Sequence, residues 1–597
     1  MSFEEEPETC KILAAERAKS TFDEVTMTDL LNGGSAETAY RKQIMDEIDE
    51  LLEQARSNLS AGAGREDDDG DDDDDDDDDD ELGDGAVPNE DHSIVEARLQ
   101  TMKMLRYQFN QLMQDAAVSV KKRQARIELM SLYDPSWFTK NGVHFGLWMG
   151  AIQGQGSLEQ LNKWMPLTLT FQVFGCFAMT ELGHGSFLRG LETTATYDAV
   201  NEEFIIHTPR VTATKWWIGG AGQSSTHSAV YAQLILPSGE NVGVHTFIVQ
   251  IRSLETHKPM PGVKLGDMGH KMGRNGLDNG WIQFDHVRVK RDALLSKYCQ
   301  VSPSGEYSRR GSKQLAYGAL IGGRATMVSD SALWLKAATT IAVRFLALRR
   351  QGEPLAGASV EQVTRGGRRD AADPAALARS LEPQILDYGT VQNRLMPLVA
   401  TAYALNFTSK FMMQLAAPPG LSGDDSLEDD APPAVEAEPQ EEVDLKDIHA
   451  TCAGLKAFCT WSTYYGIDTC RQSIGGHGYS AYSQLARMFA DFAVQCTWEG
   501  DNTVMALQTA RYLVRSYEKV KRREEVRGTV NYLASLPRIN KKPRTWRVKH
   551  PGHLRNFDAL LDAFRYLLAK KVERVSEAYL KQRTKSGHAT AWNMQVD

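Results

Sequence analysis

The chain has 597 residues, 42% hydrophobic and 24% charged, a composition that fits a globular protein and excludes a fibrous or wholly disordered one. At that length about two to four domains are expected. The formal net charge of −12 conceals a basic body: Glu66–Asp84 holds sixteen acids and Asp424–Asp444 ten, neither with a base, which leaves +14 on the other residues and suits an anionic ligand.

Seven cysteines, an odd number without a CxxC pair, argue for reduced thiols inside a cell and against both a disulfide framework and a thiolate zinc site. The N-terminus Met-Ser-Phe-Glu-Glu-Glu lacks a basic region followed by an apolar one. No uninterrupted apolar run approaches the ~18 residues of a membrane span, so none is expected.

In chain order, residues 11–57 read as helical through Ala14–Lys19, Thr21 and the regular Tyr40–Leu52 pattern. Ala61–Asn89, glycine-rich and then poly-Asp, has too little apolar surface to offset ordering and is expected to be a disordered loop insertion. A long helical stretch resumes over 92–132. From Leu167 the pattern turns to short β-rich runs, Ala195–Asp198, Phe204–His207, Ala229–Leu236, Val244–Ile251 and Trp281–Val289, separated by Gly, Pro and Asn turns.

Helix returns in Ala316–Leu348, Ile385–Gln414 and Ile448–Ser473, the last stopped by Gly475-Gly476. Two loop insertions, one rich in Gly, Arg and Ala and one in Pro and acids, interrupt this half. With no βαβ alternation and no internal repeat, the fold class is mainly α with a central β domain. The expected domains are an N-terminal α domain at 1–165 (acidic insertion 61–90) and a middle β domain at 166–295. A helical bundle at 296–500 (insertions 352–380 and 416–445) and a second α domain at 501–597 follow.

The stretch Cys496-Thr-Trp-Glu-Gly-Asp-Asn-Thr-Val504 sets one carboxylate, Glu499, between Trp498 and Gly500, ahead of a helix that Asp501 or Asn502 can cap. That helix runs through Val504, Leu507 and Tyr512 to Val514. The helix N-terminus favours ionised Glu499 by roughly 0.3–1 kcal/mol. Burial favours the protonated form by up to several pKa units and should win, which suits a general base. Taken alone, the plain reading is a first-turn charge on a helix dipole.

CFAMTELGHGSFLR at 176–189, KWWIGGAGQSSTH at 215–227, GDMGHKMGRNGLDNG at 266–280, CRQSIGGHGY at 470–479 and CTWEGDNTV at 496–504 occur in one order and spacing. Together they resemble the acyl-CoA oxidases, peroxisomal flavoenzyme relatives of the acyl-CoA dehydrogenases. The resemblance implies an N-terminal α domain, a middle β domain and C-terminal helical bundles in a homodimer, with FAD between the β domain and the C-terminal helices. It also implies acyl-CoA and oxygen as substrates, trans-2-enoyl-CoA and hydrogen peroxide as products, and a peroxisomal location.

Carried over by motif, Glu499 is the catalytic base. Thr180 and Gly219 contact the flavin, Arg350 of Arg349-Arg350-Gln351 reaches the FAD pyrophosphate across the dimer, and the turn of Gly475, Gly476 and Gly478 approaches the dinucleotide. Dehydrogenases of the wider family usually carry Thr or Ser where Gly219 stands, so the glycine is expected to leave room for oxygen. Read by themselves, Gly219–Gly222 suggest a hairpin turn, Thr180 a half-buried strand residue and Gly475–Gly478 a helix cap. Gly352 departs from the family's Arg-Arg-Gln-Phe-Gly pattern.

Alternative readings are a dehydrogenase that passes electrons to a carrier protein, and a non-catalytic acyl-CoA-binding protein. No metal site is expected, since HExxH and HxH spacings are absent, and neither a G-x-S-x-G elbow nor a Walker A sequence occurs. The basic runs Lys519–Arg523 and Lys541–Arg547 are read as solvated surface, with no nucleic acid partner. Family members run on past Trp592–Asp597 and often end in a Ser-Lys-Leu-like address. Either the last bundle is therefore incomplete or import relies on a partner or another signal.

Overall fold

The computed structural model describes residues 8–62, 92–310, 318–353, 382–416, 445–541 and 550–594. The poly-Asp tract, nearly all of the two other insertions and most of Lys541–Arg547 lie outside these residues. Two compact units emerge: Met1–Ala319 with Leu333–Asn406 and Gly466–Val494, and Leu320–Ala332 with Phe407–Tyr465 and Gln495–Asp597.

The first unit begins with α1 (Glu8–Arg17), α2 (Glu24–Asn32), α3 (Ser35–Gly62), α4 (His92–Val118) and α5 (Val120–Tyr133). The region expected to be helical over 11–57 holds three helices. Asp23 caps α2 by accepting the Thr26 N–H, and left-handed Gly33 (φ 109) ends it. The 92–132 stretch breaks at Ser119, whose hydroxyl caps α5. Ile44, Ile48, Met104, Leu105, Leu129 and Met130 form the core of these helices, and Trp137 closes it from α6 (Pro135–Asn141). A π-helical turn, Gly142–Trp148, leads into α7 (Met149–Gln155) and α8 (Leu158–Leu169).

The β domain holds β1 (Gly175–Ala178), β2 (Thr194–Asp198), β3 (Glu203–His207), β4 (Lys215–Gly219), β5 (His227–Ile235), β6 (Asn241–Gln250), β7 (Val263–Asp267), β8 (Asn279–Phe284) and β9 (Val287–Lys290). The hairpin β10 (Cys299–Val301) and β11 (Tyr307–Arg309) follows. Strands run β1-β5-β2-β3-β9 in one sheet, with β6 on β5, and β4-β8-β7 in another.

Alternation places Ala195, Tyr197, Phe204, Ile206, Ile282 and Phe284 in one core. Against the other face of β5 and β6, Trp148, Ala151 and Ile152 pack on Ala229 and Ile248. The expected run Trp281–Val289 is two strands in different sheets, split by left-handed His286 (φ 52).

Helices α9 (Gly318–Leu348), α10 (Gly389–Ala416) and α11 (Leu445–Ser473) contribute residues to both units. Then come α12 (Leu485–Ala493), α13 (Asn502–Lys521), α14 (Leu536–Lys541) and α15 (Phe557–Met594). In α9, Gly322–Leu348 is among the described residues the one segment long and apolar enough to cross a membrane, with half of its most apolar window buried. Its charges are engaged inside the fold, Asp330 accepting from Gln495 at 2.6 Å, as in the core helix of a bundle.

Candidate active site

In the second unit the chain reaches α13 through two consecutive left-handed residues, Glu499 (φ 55) and Gly500 (φ 104). A non-glycine residue held there stores roughly 1–3 kcal/mol of strain. Two buried cations hold the pair: Arg324 Nε donates to the Glu499 carbonyl at 3.0 Å, and Lys456 Nζ to the Gly500 carbonyl at 2.7 Å. Gly500 suits a glycine because its φ is one that a residue with a side chain rarely adopts, and a Cβ there would also displace the end of the Met505 side chain.

Asp501 caps α13, accepting from the Thr503 and Val504 N–H groups at 2.9 and 3.4 Å. Asn502 is buried and takes the Lys456 ammonium on Oδ1 at 2.8 Å while donating to Thr460 at 2.9 Å. The helix continues past Val514 to Lys521.

The Glu499 residue keeps some exposure, yet its Oε2 is fully covered and has no hydrogen-bond partner among the described residues. The carboxylate rests against Gly323, where a Cβ would stand 3.1–3.3 Å from Oε1, Cδ and Oε2. Burial raises its pKa above the ordinary 4.5, with Arg324 and Lys456 pulling the other way. Burial wins, and the opposing term comes from these two cations. Burial and Arg324 together lower the His449 pKa, and its Nε2 lies 3.3 Å from Arg324 Nη1, as fits a neutral acceptor imidazole. Trp498 donates its indole N–H to Gln495 at 2.9 Å.

In the first unit, Thr180 follows β1 and is half-buried, and its backbone carbonyl accepts the Trp216 N–H at 3.0 Å. Its side-chain hydroxyl makes no hydrogen bond among the described residues. Next to it Glu181 closes on buried Lys215 at 3.0 Å, fixing β1 against β4. Gly219 ends β4. Since β4 and β5 belong to different sheets, Gly219–Gly222 cross between sheets and do not turn a hairpin.

That crossing is rigid. Asp278 accepts the Gln223 and Ser224 N–H groups at 2.9 and 2.7 Å and the Lys140 ammonium at 2.7 Å. Burial opposes ionisation of Asp278, but Lys140 and these donors bring its pKa down to about 2. The expected room at Gly219 is not there: a Cβ would sit 2.9 Å from Val143 Cγ2, which the π-helical turn places against β4. Oxygen access does not follow from the missing side chain.

The third glycine group divides. Gly475 is left-handed (φ 67) and ends α11, Gly476 faces open space, and Gly478 is buried with its Cβ position only 1.9 Å from the Arg471 carbonyl. Arg349 packs over Phe345, 5.9 Å from the ring centre, with Nη1 3.8 Å from the Gly475 Cβ position. Arg350 is exposed and donates to the Glu382 carbonyl at 2.6 Å. Gly352 is a steric necessity, because a Cβ would lie 2.1 Å from the Tyr388 hydroxyl, which bonds the Gln351 carbonyl.

Among the described residues His207, Asp285 and His286 form one convergent trio of metal-binding type. The two rings stack at 3.9 Å with planes 25° apart, so their in-plane lone pairs run nearly parallel and do not meet at one ion.

The family model for the acyl-CoA oxidase C-alpha1 domain matches residues 317–514, that for the acyl-CoA dehydrogenase middle domain 176–287, and that for the acyl-coenzyme A oxidase N-terminal region 78–174. Peroxisomal acyl-coenzyme A oxidase 1 of Rattus norvegicus is 35% identical over 98% of this chain and 78% of its own length. The chain belongs to the acyl-CoA oxidase family. Acyl-coenzyme A oxidase 2 of Yarrowia lipolytica is 38% identical to the oxidase over 87% of the chain and 66% of that protein.

Among solved structures, acyl-CoA oxidase 1 of Yarrowia lipolytica superposes with a TM-score of 0.78 at 33% identity, covering 98% of the chain and 77% of that structure. Acyl-CoA oxidase-2 of Caenorhabditis elegans, bound with FAD, ascaroside-CoA and ATP, has a TM-score of 0.73 at 28% identity, covering 100% and 78%. The α, β, α organisation is that of the family, and the enzyme class is an oxidoreductase of fatty acid oxidation.

Sequence reasoning does not single out Gly323, Arg324, Lys456, Trp217 or Arg349 in the oxidase. Lys456 carries a legible signal: it lies on the helix stripe of Ala453, Ala457 and Thr460, where a solvated lysine does not belong. Trp217 carries none. A bulge and a left-handed backbone (φ 64) turn its ring outward beside Gly219, 54% exposed.

Proposed function

We propose that Glu499 is the base of this oxidase, removing the α proton of an acyl-CoA thioester as the β hydrogen leaves with its electron pair, so that acyl-CoA and O2 become trans-2-enoyl-CoA and H2O2. The observation that carries the reading is a carboxylate oxygen, Oε2, covered, without a hydrogen-bond partner among the described residues and borne on a strained backbone whose next two carbonyls are held by Arg324 and Lys456. The covered site makes Glu499 a better proton acceptor than a solvated glutamate, and its backbone amide is the donor for the thioester carbonyl.

FAD, when bound, supplies the two-electron acceptor for the β hydrogen and returns the electrons to oxygen. The residues present fit such a group. Thr180 offers a hydroxyl free of protein partners, Gly219 and exposed Trp217 offer a flat apolar edge, and Gly475-Gly476 offer an open backbone beside the Arg349 guanidinium. Arg349 stands beside the glycine turn, whereas Arg350 donates one Nη1 bond to the Glu382 carbonyl and keeps its other donors for a pyrophosphate. The basic body of the chain suits the CoA phosphates.

A homodimer fits the exposed aromatic residues Tyr403, Phe407 and Phe411, four apart on α10, and Phe458, Trp461 and Tyr465 on α11. A peroxisomal location rests on relatives of that name.

Anaerobic titration with a medium-chain acyl-CoA, followed through the flavin absorbance and then by admission of air, tests the reading. Bleaching with rapid recovery and peroxide is expected; sluggish recovery would indicate a dehydrogenase, and a colourless protein that takes up no FAD would overturn the proposal. Glu499→Gln should bind FAD and acyl-CoA but bleach about 10²–10⁴-fold more slowly, and near-normal bleaching would remove Glu499 from the role.

A further inference from the structure

Three lysines are buried among the described residues, and two are closed by carboxylates: Lys140 by Asp278 at 2.7 Å and Lys215 by Glu181 at 3.0 Å. Lys456 is not. Its Nζ meets only neutral oxygens, the Gly500 carbonyl at 2.7 Å and Asn502 Oδ1 at 2.8 Å. An ammonium withdrawn from water with no carboxylate in contact, and only the more distant charges of Asp501 and Glu499 to offset it, costs more than such bonds return, so packing alone does not account for it.

What it holds is the link after the base. Arg324 takes the carbonyl of Glu499 and Lys456 the carbonyl of Gly500, so both peptide planes following the Glu499 Cα are fixed. Asn502 orients the ammonium and is itself held by Thr460 and the Ala457 carbonyl. Both residues bearing the clamped carbonyls are left-handed; the conformation is strained at Glu499 and free of that strain at Gly500, whose glycine backbone has many alternatives once its carbonyl is released.

We propose that Lys456 is a positioning residue of the reaction: with Asn502 as its orienting partner, it clamps the Gly500 carbonyl and thereby aims the Glu499 carboxylate at the substrate α carbon. The inference rests on the reading of Glu499 as the base. Arg324, Cys496, Asp501 and Glu499 are the ionisable groups that act on Lys456, and burial lowers its pKa to about 8. Arg324 and Lys456 both oppose the rise at Glu499, so removing the lysine charge moves the base as well as loosening it.

The test uses the full-length holoenzyme and compares the anaerobic bleaching rate across pH for wild type, Lys456→Met and Lys456→Gln. Affinity for a non-oxidisable thioether analogue of acyl-CoA is measured in parallel. Lys456→Met should bleach about 100-fold more slowly, the loss expected of a base misplaced by about an ångström. The acid limb of its rate should rise by about one pH unit, with analogue affinity within about threefold of wild type because the clamp does not touch the ligand. Lys456→Gln, which keeps a donor and not the charge, should recover part of the rate while its acid limb stays raised.

A wild-type rate and acid limb in Lys456→Met would overturn the proposal, as would slow bleaching with an unmoved limb in both variants, which assigns Lys456 to packing. If Lys456→Met does not fold, Lys456→Gln decides on the same two readouts. Glu499→Gln run alongside separates the premise, since normal bleaching there dismisses the base and not the clamp.

Discussion

At Glu499 two opposed effects meet, and their balance has a measurable sign. Burial raises the carboxyl pKa, Arg324 and Lys456 restrain it, and the result lies above 4.5. A base must be ionised, so activity is lost as pH falls through the raised value, and the acid limb of the kcat profile should lie above the ordinary glutamate range. A kcat profile flat down to about pH 4.5 would contradict it. Because the protonated form is favoured in the fold, this group's contribution to stability falls as pH rises above 4.5. Gly323 matters for a different reason: the atoms nearest its Cβ position are all those of the Glu499 carboxylate. Gly323→Ala brings a methyl to 3.1–3.3 Å from the carboxylate atoms, tighter than ordinary contact. It should lower kcat by about 10–100-fold with little change in acyl-CoA affinity.

At the scale of elements, the strands next to Thr180 and Gly219 are held by buried charge. Glu181 accepts the Glu192 and Thr193 N–H groups at 2.7 and 2.9 Å and the Thr193 hydroxyl at 2.6 Å, with Lys215 opposite. Burial raises the Glu181 pKa, but Lys215 and these donors bring it below the ordinary value. Lys215→Met would strand this carboxylate and should destabilise the fold by about 3–5 kcal/mol, read as a lowered urea midpoint. Strands β2, β3, β5 and β6 are legible as alternating or continuous apolar runs. β1, β4 and β7 are not, because GCFA, KWWIG and VKLGD are short, glycine-bearing and stabilised by partners distant in sequence. The breaks at Ser119 and Gly33 were written in capping chemistry, while the π-helical turn at Gly142–Trp148 had no local signal and is kept by the packing of Val143 and Trp148.

For the whole molecule, charge is segregated. Deleting Glu66–Asp84 changes the net charge from −12 to +4 and removes no residue of the candidate site. Turnover at physiological ionic strength should stay within experimental scatter, as expected of a solvated acidic insertion whose charge is screened by salt; a large loss would mean the tract takes part in function. The one apolar helix segment of spanning length illustrates the same scale, since Arg324 and Asp330 within it find partners only through the folded bundle.

The sequence by itself determined the order of α, β and α regions and the motif that carries Glu499. Periodicity, capping residues and a run such as CTWEGDNTV are local properties of the chain. It also determined that a carboxylate would stand at the start of α13. Only the tertiary structure decided that Asp501 and not Asn502 caps that helix, that Val143 fills the space beside Gly219, and that Arg349 rather than Arg350 stands at the glycine turn. Likewise Gly323, Arg324 and Lys456 became part of the site only when α9, α11 and the turn before α13 packed together. These outcomes depend on which distant side chain occupies a given volume, and residues far apart in the chain, such as Arg324 and Glu499 at a separation of 175 positions, meet through packing that no local pattern encodes.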